Sequence, residues 1–577
     1  TLLIGPLNAA GQALGALNEA IKNDTTTSGD RVHKVYKLQR GAQYILTEIL
    51  QLDFPLVLVA DKPDDANRPP IVRAGLKADG GAVGNLWHIF DNATFKNLWI
   101  FGSNLDGTGP ISWIIHEVKG SGKKINFEGC IFETPYTWWG MFLDNGGNNV
   151  YKINDCIFKN IGAPSGADWN GAVFASANMD SIIVKNTTYF NFGAFAVNGG
   201  DGSSEAFYAE IDHCTFVNSM VHPINSHGYV IKKYTNNLFV NTHAFGDDDQ
   251  EIQRHFDQGP KGLMNYAEVQ MNMQKVDSLF GPGGVRANYD PNGDGKLTEG
   301  EFVWELKNNN WFYTAPVKNY QVNDPTITPT PWMNDYNAAM FNSNTDAWAY
   351  DLKIFTWADS AGNIVDPPAG FDTLHIVDSA VVAQSHEGFQ YFVDENTTNV
   401  DPGFANLNNT DELLAQNCAN IRTERSGGTV GSPVKFHNVA DYLAFTWPLE
   451  FDLSYSNTAL QTAGTDGLPL GDLNWWPNIV GVEKIDNVIV DKYSIEQNYP
   501  NPFNPTTNIE FAIPTNGMVS LKVFNVLGEE VADLLNKELA SGSYNVNFDA
   551  TQLTSGIYFY TLTSGNFVQT RKMLLLK

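Results

Sequence analysis

The chain has 577 residues, with 64 acidic side chains against 36 basic ones, a formal charge of −28 at pH 7 and four cysteines. That charge excludes a nucleic-acid partner, because binding phosphate backbones needs a basic face that displaces counterions, and it opposes docking on an anionic membrane surface. No run of about 18 apolar residues is present to insert into a bilayer. Charged residues make up 17% and aromatics 12%, while Asn, Thr, Ser and Gly crowd the polar positions, the profile of a secreted β protein. The cysteines are too few and too scattered for a disulfide scaffold or a metal knuckle. A start at Thr1 is what removal of a signal peptide would leave.

In chain order, Leu7 to Asn23 (LNAAGQALGALNEAIKN) has helical periodicity and predicts a helix that caps the open first coil of a solenoid. Five segments then align: INFEGCIFETP from Ile125, INDCIFKNIG from Ile153, IIVKNTTYFNF from Ile182, EIDHCTFVNS from Glu210 and IKKYTNNLFVNT from Ile231. Their shared aromatic falls at Phe132, Phe158, Tyr189, Phe216 and Phe239, with short alternating strands inside each segment and Gly, Asn, Asp and Ser turns between. Strands recurring once per coil predict a right-handed parallel β-helix, in which each coil buries its inward residues only by stacking on its neighbours. Asn160, Asn191, Asn218 and Asn241 follow the aromatic by two, and predict a carboxamide ladder at a turn that demands left-handed backbone. Cys130, Cys156 and Cys214 precede it by two, so they stack inside; a Cys130–Cys156 disulfide fits the interstrand spacing, but buried thiols acting as small apolar residues are the simpler expectation.

The period weakens after Thr242, and residues 243–316 read as an insertion. Inside it, Asp290, Asn292, Asp294, Gly295, Lys296, Thr298 and Glu301 occupy positions 1, 3, 5, 6, 7, 9 and 12 of a calcium loop. Hard Ca²⁺ takes oxygen ligands, Gly at position 6 makes the sharp turn, Lys296 offers its carbonyl, and Glu301 closes the shell bidentately. Strand patterns resume in YDLKIFTW, FDTLHIVDSAVVAQ and FQYFVDE. Asp452 to Pro477 then resembles the closing segment of secreted bacterial β-helix proteins of the pectate-lyase-like superfamily, a resemblance that covers residues 35–477 loosely and concerns fold rather than activity.

That superfamily includes polysaccharide lyases and glycoside hydrolases. Asp212 and His213 resemble the DH pair of one pectate lyase family, yet they occupy a repeat position filled by structural residues in other coils, and the GHG and RIK segments are missing. The remaining candidates are a cluster of His222, His227, His243, Asp247, Asp248 and Asp249, which would suit a metal or a sugar, and Trp138 and Trp139, which with Tyr136 would stack on sugar rings.

From Tyr493 the text changes to YSIEQNYPNPFNPTTNIEFAIP, VSLKVFNVLGEEV, GSYNVNFDA, SGIYFYTL and RKMLLLK, short alternating strands with glycine turns that predict a small immunoglobulin-like sandwich. NYPNPFNP, NVLGEEV, SGIY and KMLLLK closely resemble, in order, the type A C-terminal sorting domain of Bacteroidetes-type proteins exported by the type IX secretion system. The resemblance implies passage through the periplasm to the outer surface or the medium, with that machinery as partner. The expected organisation is a solenoid over 1–480, a linker over 481–492 and the sorting domain over 493–577. The expected role is structural or adhesive, with self-assembly into a filament or layer as one form of it, and polysaccharide lysis, hydrolysis or noncatalytic glycan binding as the alternatives.

Overall fold

The protein is described by a computed structural model that covers residues 1–246 apart from 6–10, 29, 65, 104, 107–113, 136–139, 163–171, 194, 199–205, 222 and 226–228; then 263–264, 303–333, 357–358, 364–365, 392–426, 436, 443–476, 482–485 and 492–577 apart from 516, 540 and 552. It divides into two compact units, Thr1–Asp472 and Leu473–Lys577.

A left-handed residue at the same turn of successive coils organises the first unit. Asn97, Gly129, Asp155, Asn186, His213, Asn236 and Asn308 all have φ between 45° and 62°. Glycine, asparagine and aspartate reach this region at least cost, having no Cβ or a short polar side chain that bonds locally. Each separates a strand of one parallel sheet from a strand of the next, as Gly129 separates Lys124–Glu128 from Ile131–Glu133. The second of these sheets has ten strands in coil order, from Gln12–Leu14 to Asn310–Phe312. Its register places Tyr44, Val72, Ile100, Phe132, Phe158, Tyr189, Phe216, Phe239 and Trp311 beside one another. A third face is built by Leu50–Leu52, Trp87–Ile89, Ile114–Val118 and the first part of Gly140–Asn154. The turns leaving it pack so closely that a Cβ on Gly146 would lie 1.8 Å from the Gly120 carbonyl oxygen. This is the expected parallel β-helix.

The aromatic repeat is a stack of rings. Centroids are 4.5 Å apart for Phe132–Phe158, 4.7 Å for Phe158–Tyr189, and 4.9 Å for Tyr189–Phe216 and Phe216–Phe239, with planes within 6° of parallel. Such pairs contribute roughly 0.5–1.5 kcal/mol each beyond burial. Beside it runs the asparagine ladder: Asn191 Nδ2 donates to Asn160 Oδ1 at 3.1 Å, Asn218 to Asn191 at 2.9 Å, and Asn241 to Asn218 at 3.0 Å. The ladder is closed at both ends. Glu133 Oε1 accepts Asn160 Nδ2 at 2.8 Å and the Lys159 ammonium at 2.7 Å, and Asn241 Oδ1 accepts the Thr314 amide at 2.8 Å. The four cysteines are free, buried thiols, so Cys130, Cys156 and Cys214 fill the interior as expected.

Several boundaries differ from the sequence reading. The N-terminal helix covers Ala16–Asn23 only; Gln12–Leu14 is instead a strand of the second sheet, because Gly11 and Gly15, with φ of 70° and 65°, interrupt the helical run. The insertion ends before Val303 rather than at 316, since Val303–Lys307 and Asn310–Phe312 pair with Tyr229–Thr235 and Leu238–Val240 as the next coil. Phe392–Glu395 continues the first sheet. Helices Ala315–Asn323 and Thr410–Ser426 cover the ladder side, with Leu414, Cys418 and Ile421 buried against Met220 and Phe245. The closing segment runs along the coils: Asp472 Oδ2 accepts Thr188 Oγ1 at 2.7 Å, and Thr465 N–H donates to Asn236 Oδ1 at 2.7 Å.

The second unit is a sandwich of two four-stranded antiparallel sheets among the described residues. Ile509, Phe511, Val546, Val519, Leu521, Tyr560 and Met573 fill the core between them. Val482–Ile485, in the expected linker, is a strand here, pairing with Gly542–Asp549 and so satisfying an otherwise open sheet edge.

Candidate functional site

Strand alternation on the third face sends His116 and Val118 inward and Glu117 and Lys119 outward, with the neighbouring strand presenting His88 in register with Glu117. Gln51, His88 and Glu117 thereby stand side by side in an outer row, and Asn145 of the next coil reaches Glu117 diagonally, Leu143 being the residue opposite it. Gln51 Oε1 lies 3.3 Å from His88 Nδ1, His88 Nε2 lies 3.4 Å from Glu117 Oε2, and Asn145 Nδ2 donates to Glu117 Oε1 at 2.8 Å. The Lys119 ammonium sits 3.3 Å from Glu117 Oε2. The side chains of His88 and Glu117 remain 16% and 18% exposed, so the row is open to a ligand. Phe90, the next outward residue after His88, is 37% exposed and extends the row with an aromatic face. Burial and the Lys119 ammonium hold the His88 imidazole below its usual range, against the pull of Glu117. A neutral imidazole carries a single N–H, so it donates to the Gln51 oxygen or to Glu117 and not to both.

Glu117 is engaged through both carboxylate oxygens. This arrangement orients a carboxylate, an imidazole, two amides and an ammonium along the coil axis, with a phenyl ring beside them. Such a row can donate hydrogen bonds to hydroxyl groups and accept them, and the ring offers an apolar face.

Of the residues singled out from the sequence, His243 is buried: its Nδ1 lies 3.2 Å from Thr330 Oγ1, and its carbonyl accepts Gln321 Nε2 at 3.2 Å. His222, His227, Asp247, Asp248, Asp249, Trp138 and Trp139 lie outside the described residues, as do Asp290, Asn292, Asp294, Lys296, Thr298 and Glu301. Asp212 and His213 are structural. Asp212 Oδ1 accepts Thr235 Oγ1 at 2.7 Å and Asn236 Nδ2 at 2.8 Å, and His213 takes the left-handed turn position, its Nε2 3.2 Å from Asp466 Oδ2. Burial alone would lower the His213 pKa; Asp466 and Asp212 outweigh it and raise the pKa above the usual value.

Of the buried cations Arg73, Lys159, Lys232 and Arg422, which the sequence reading did not single out, two are lysines against tryptophan rings. Lys159 lies over the Trp99 ring at 4.7 Å and pairs with Glu133 on the outer face of the second sheet. Lys232 shares the register of Ala209 and Trp304, with its ammonium 4.4 Å from the Trp304 ring centre, and burial pushes its pKa down to about 7. The local signal for Lys232 was a lysine at a position where the strand alternation demands burial, whereas Lys159 stands at an outward position.

Among the described residues no helix is long and apolar enough to cross a membrane. Compared with known proteins, the chain matches no curated protein and no solved structure. Residues 497–576, the body of the sandwich, match the family described as the secretion system C-terminal sorting domain, so the chain carries a type IX export signal and is destined for the cell surface or the extracellular space.

Proposed function

We propose that the exported solenoid is a noncatalytic adhesive rod that contacts extracellular glycan along its third face. The row Gln51–His88–Glu117, with Asn145 bonded diagonally to Glu117 and Phe90 at its flank, supports this reading: parallel strands repeat at about 4.8 Å, so the three aligned residues offer hydrogen-bonding groups at regular intervals to an extended polymer. Glu117 is held by three partners, which favours recognition over proton abstraction, since a general base must be open to the proton it takes. Screening the full chain on an array of acidic and neutral glycans tests the proposal. Saturable binding to one glycan class, weakened roughly tenfold by Phe90→Ala, a loss of about 1.4 kcal/mol, is expected. Binding to none, or binding indifferent to both Phe90→Ala and Glu117→Gln, would refute it.

Calcium binding by residues 290–301 is proposed from the spacing of their oxygen ligands. Titration calorimetry of the full chain is expected to show one Ca²⁺ site that Glu301→Gln removes, since that change takes away the bidentate ligand. An unchanged isotherm in the variant would exclude the loop.

A further inference from the structure

The four segments that carry the tail's resemblance converge on one end of the sandwich. In the sheet ordered Glu530–Leu539, Gly517–Phe524, Gly556–Ser564 and Phe567–Leu575, Phe524 lies opposite Phe559, and Ile557 lies opposite Leu574. The turn after Phe524, the start of the third strand and the end of the fourth therefore share an end. The proline-rich loop joins them there: Asn501 Oδ1 accepts the Leu574 amide at 2.9 Å, and the Phe503 carbonyl accepts the Leu576 amide at 3.0 Å.

This end gathers exposed apolar side chains. Tyr499 is 81% exposed, Leu527 79%, Val526 66%, Leu576 50% and Ile557 43%, whereas their neighbours Phe503, Tyr558, Met573 and Leu575 are buried. The family's short segments thus supply both the core and an uncovered apolar cap. Turn positions ordinarily take Asn, Asp or Gly; here two adjacent aliphatic residues are held in water by a rigid turn. Asn525 Oδ1 accepts the amides of Leu527 at 2.9 Å and Glu529 at 3.0 Å, Asn525 Nδ2 donates to Glu529 Oε2 at 2.7 Å, and Gly528 supplies a φ of 79°. A preorganised apolar protrusion loses little entropy on binding, and uncovered apolar surface of this kind marks interaction sites. Its charged flank is acidic: Glu529, Glu530 and Asp533 stand against Lys522, which is already paired with Glu530 at 2.9 Å and Asp533 at 3.3 Å.

We propose that this end is the surface by which the export machinery reads the tail, with Val526 and Leu527 as the anchor that enters an apolar pocket with a basic rim on a protein component of that machinery. The inference rests on the sorting-domain match and is independent of the adhesive reading. Met518 and Val568, also exposed, lie at the opposite end of the same sheet, where Met518 pairs Glu538 and Val568 pairs Thr563, and serve as the control.

The test follows export of the full chain from a host that has a type IX system. Val526→Ser with Leu527→Ser, and separately Leu576→Ser, are expected to lower the amount reaching the surface and medium at least tenfold, with the protein retained in the periplasm. Met518→Ser with Val568→Ser is expected to be exported normally, and the purified variants are expected to unfold at the parent's temperature. Parental export of both motif-end variants would overturn the proposal, as would equal loss in the control. Normal export together with loss of self-association on sizing would also overturn it, by assigning the patch to a second copy of this chain.

Discussion

Asn218→Leu is expected to destabilise the solenoid by roughly 5 kcal/mol, because it leaves several buried partners unmatched at about 1–3 kcal/mol each. Asn218 Nδ2 donates to Asn191 Oδ1 at 2.9 Å and to Thr410 Oγ1 at 2.8 Å, and its Oδ1 accepts Asn241 Nδ2 at 3.0 Å. The residue also sits at φ 61°, where a leucine side chain is strained. Its place in the middle of the ladder means that no solvent reaches the abandoned groups. Urea unfolding of the full chain followed by far-ultraviolet circular dichroism measures the loss. A change under 1 kcal/mol would show that the ladder is incidental to coil stacking.

His116→Phe is expected to stabilise the solenoid, and increasingly so in acid. His116 is fully buried, with neither ring nitrogen hydrogen-bonded, between Trp87 at 4.9 Å and Phe142 at 4.6 Å. Burial pushes its pKa down to about 3 from the usual 6.5. Above pH 6.5 the ring is neutral in both folded and unfolded chains and contributes no pH dependence. Below it, the unfolded chain binds a proton that the folded chain refuses, so stability falls by up to about 1.4 kcal/mol per pH unit until the folded pKa is reached. Phenylalanine keeps the ring stack and removes both this slope and the unpartnered nitrogens. Thermal unfolding of parent and variant from pH 7 to pH 4 checks it: the two curves should diverge as pH falls, and parallel curves would contradict the account. His213 acts with the opposite sign. Its raised pKa contributes stability below pH 6.5 that is lost as pH rises through the folded value, loosening its contact with Asp466.

The ladder and the ring stack were legible because they repeat. Phe132 to Phe239 and Asn160 to Asn241 each recur at one position per coil, and a solenoid turns such a period directly into contact. Upstream coils were harder to read, since Val72 and Ile100 occupy the aromatic's place and any buried strand carries such residues. The coil at Val303–Phe312 was hidden by the insertion before it, although Asn308–Asn309 repeats Asn236–Asn237 and takes the same left-handed turn. Among the described residues of helix Thr410–Ser426 the buried ones are Thr410, Leu414, Cys418, Ile421 and Arg422, too narrow an apolar stripe to stand out.

The polar row on the third face was illegible for a different reason. Gln51 and His88 are 37 residues apart, and Glu117 and Asn145 28 apart, so no local spacing announces them. Register aligns Gln51, His88 and Glu117, and a diagonal side-chain contact adds Asn145, since Glu117 itself faces Leu143; that register depends on turn lengths that differ from coil to coil. The sorting tail stood at the other extreme, since its motifs are contiguous and its core residues alternate within single strands.

Incubating the full chain with pectate, alginate and neutral glycans, with and without Ca²⁺, tests the central claim of a noncatalytic adhesive rod most directly. The account predicts that a glycan which binds is recovered intact, with no rise in ultraviolet absorbance from unsaturated ends and no new reducing ends. Accumulation of either product, abolished by Glu117→Gln, would contradict it and make the same row an active site.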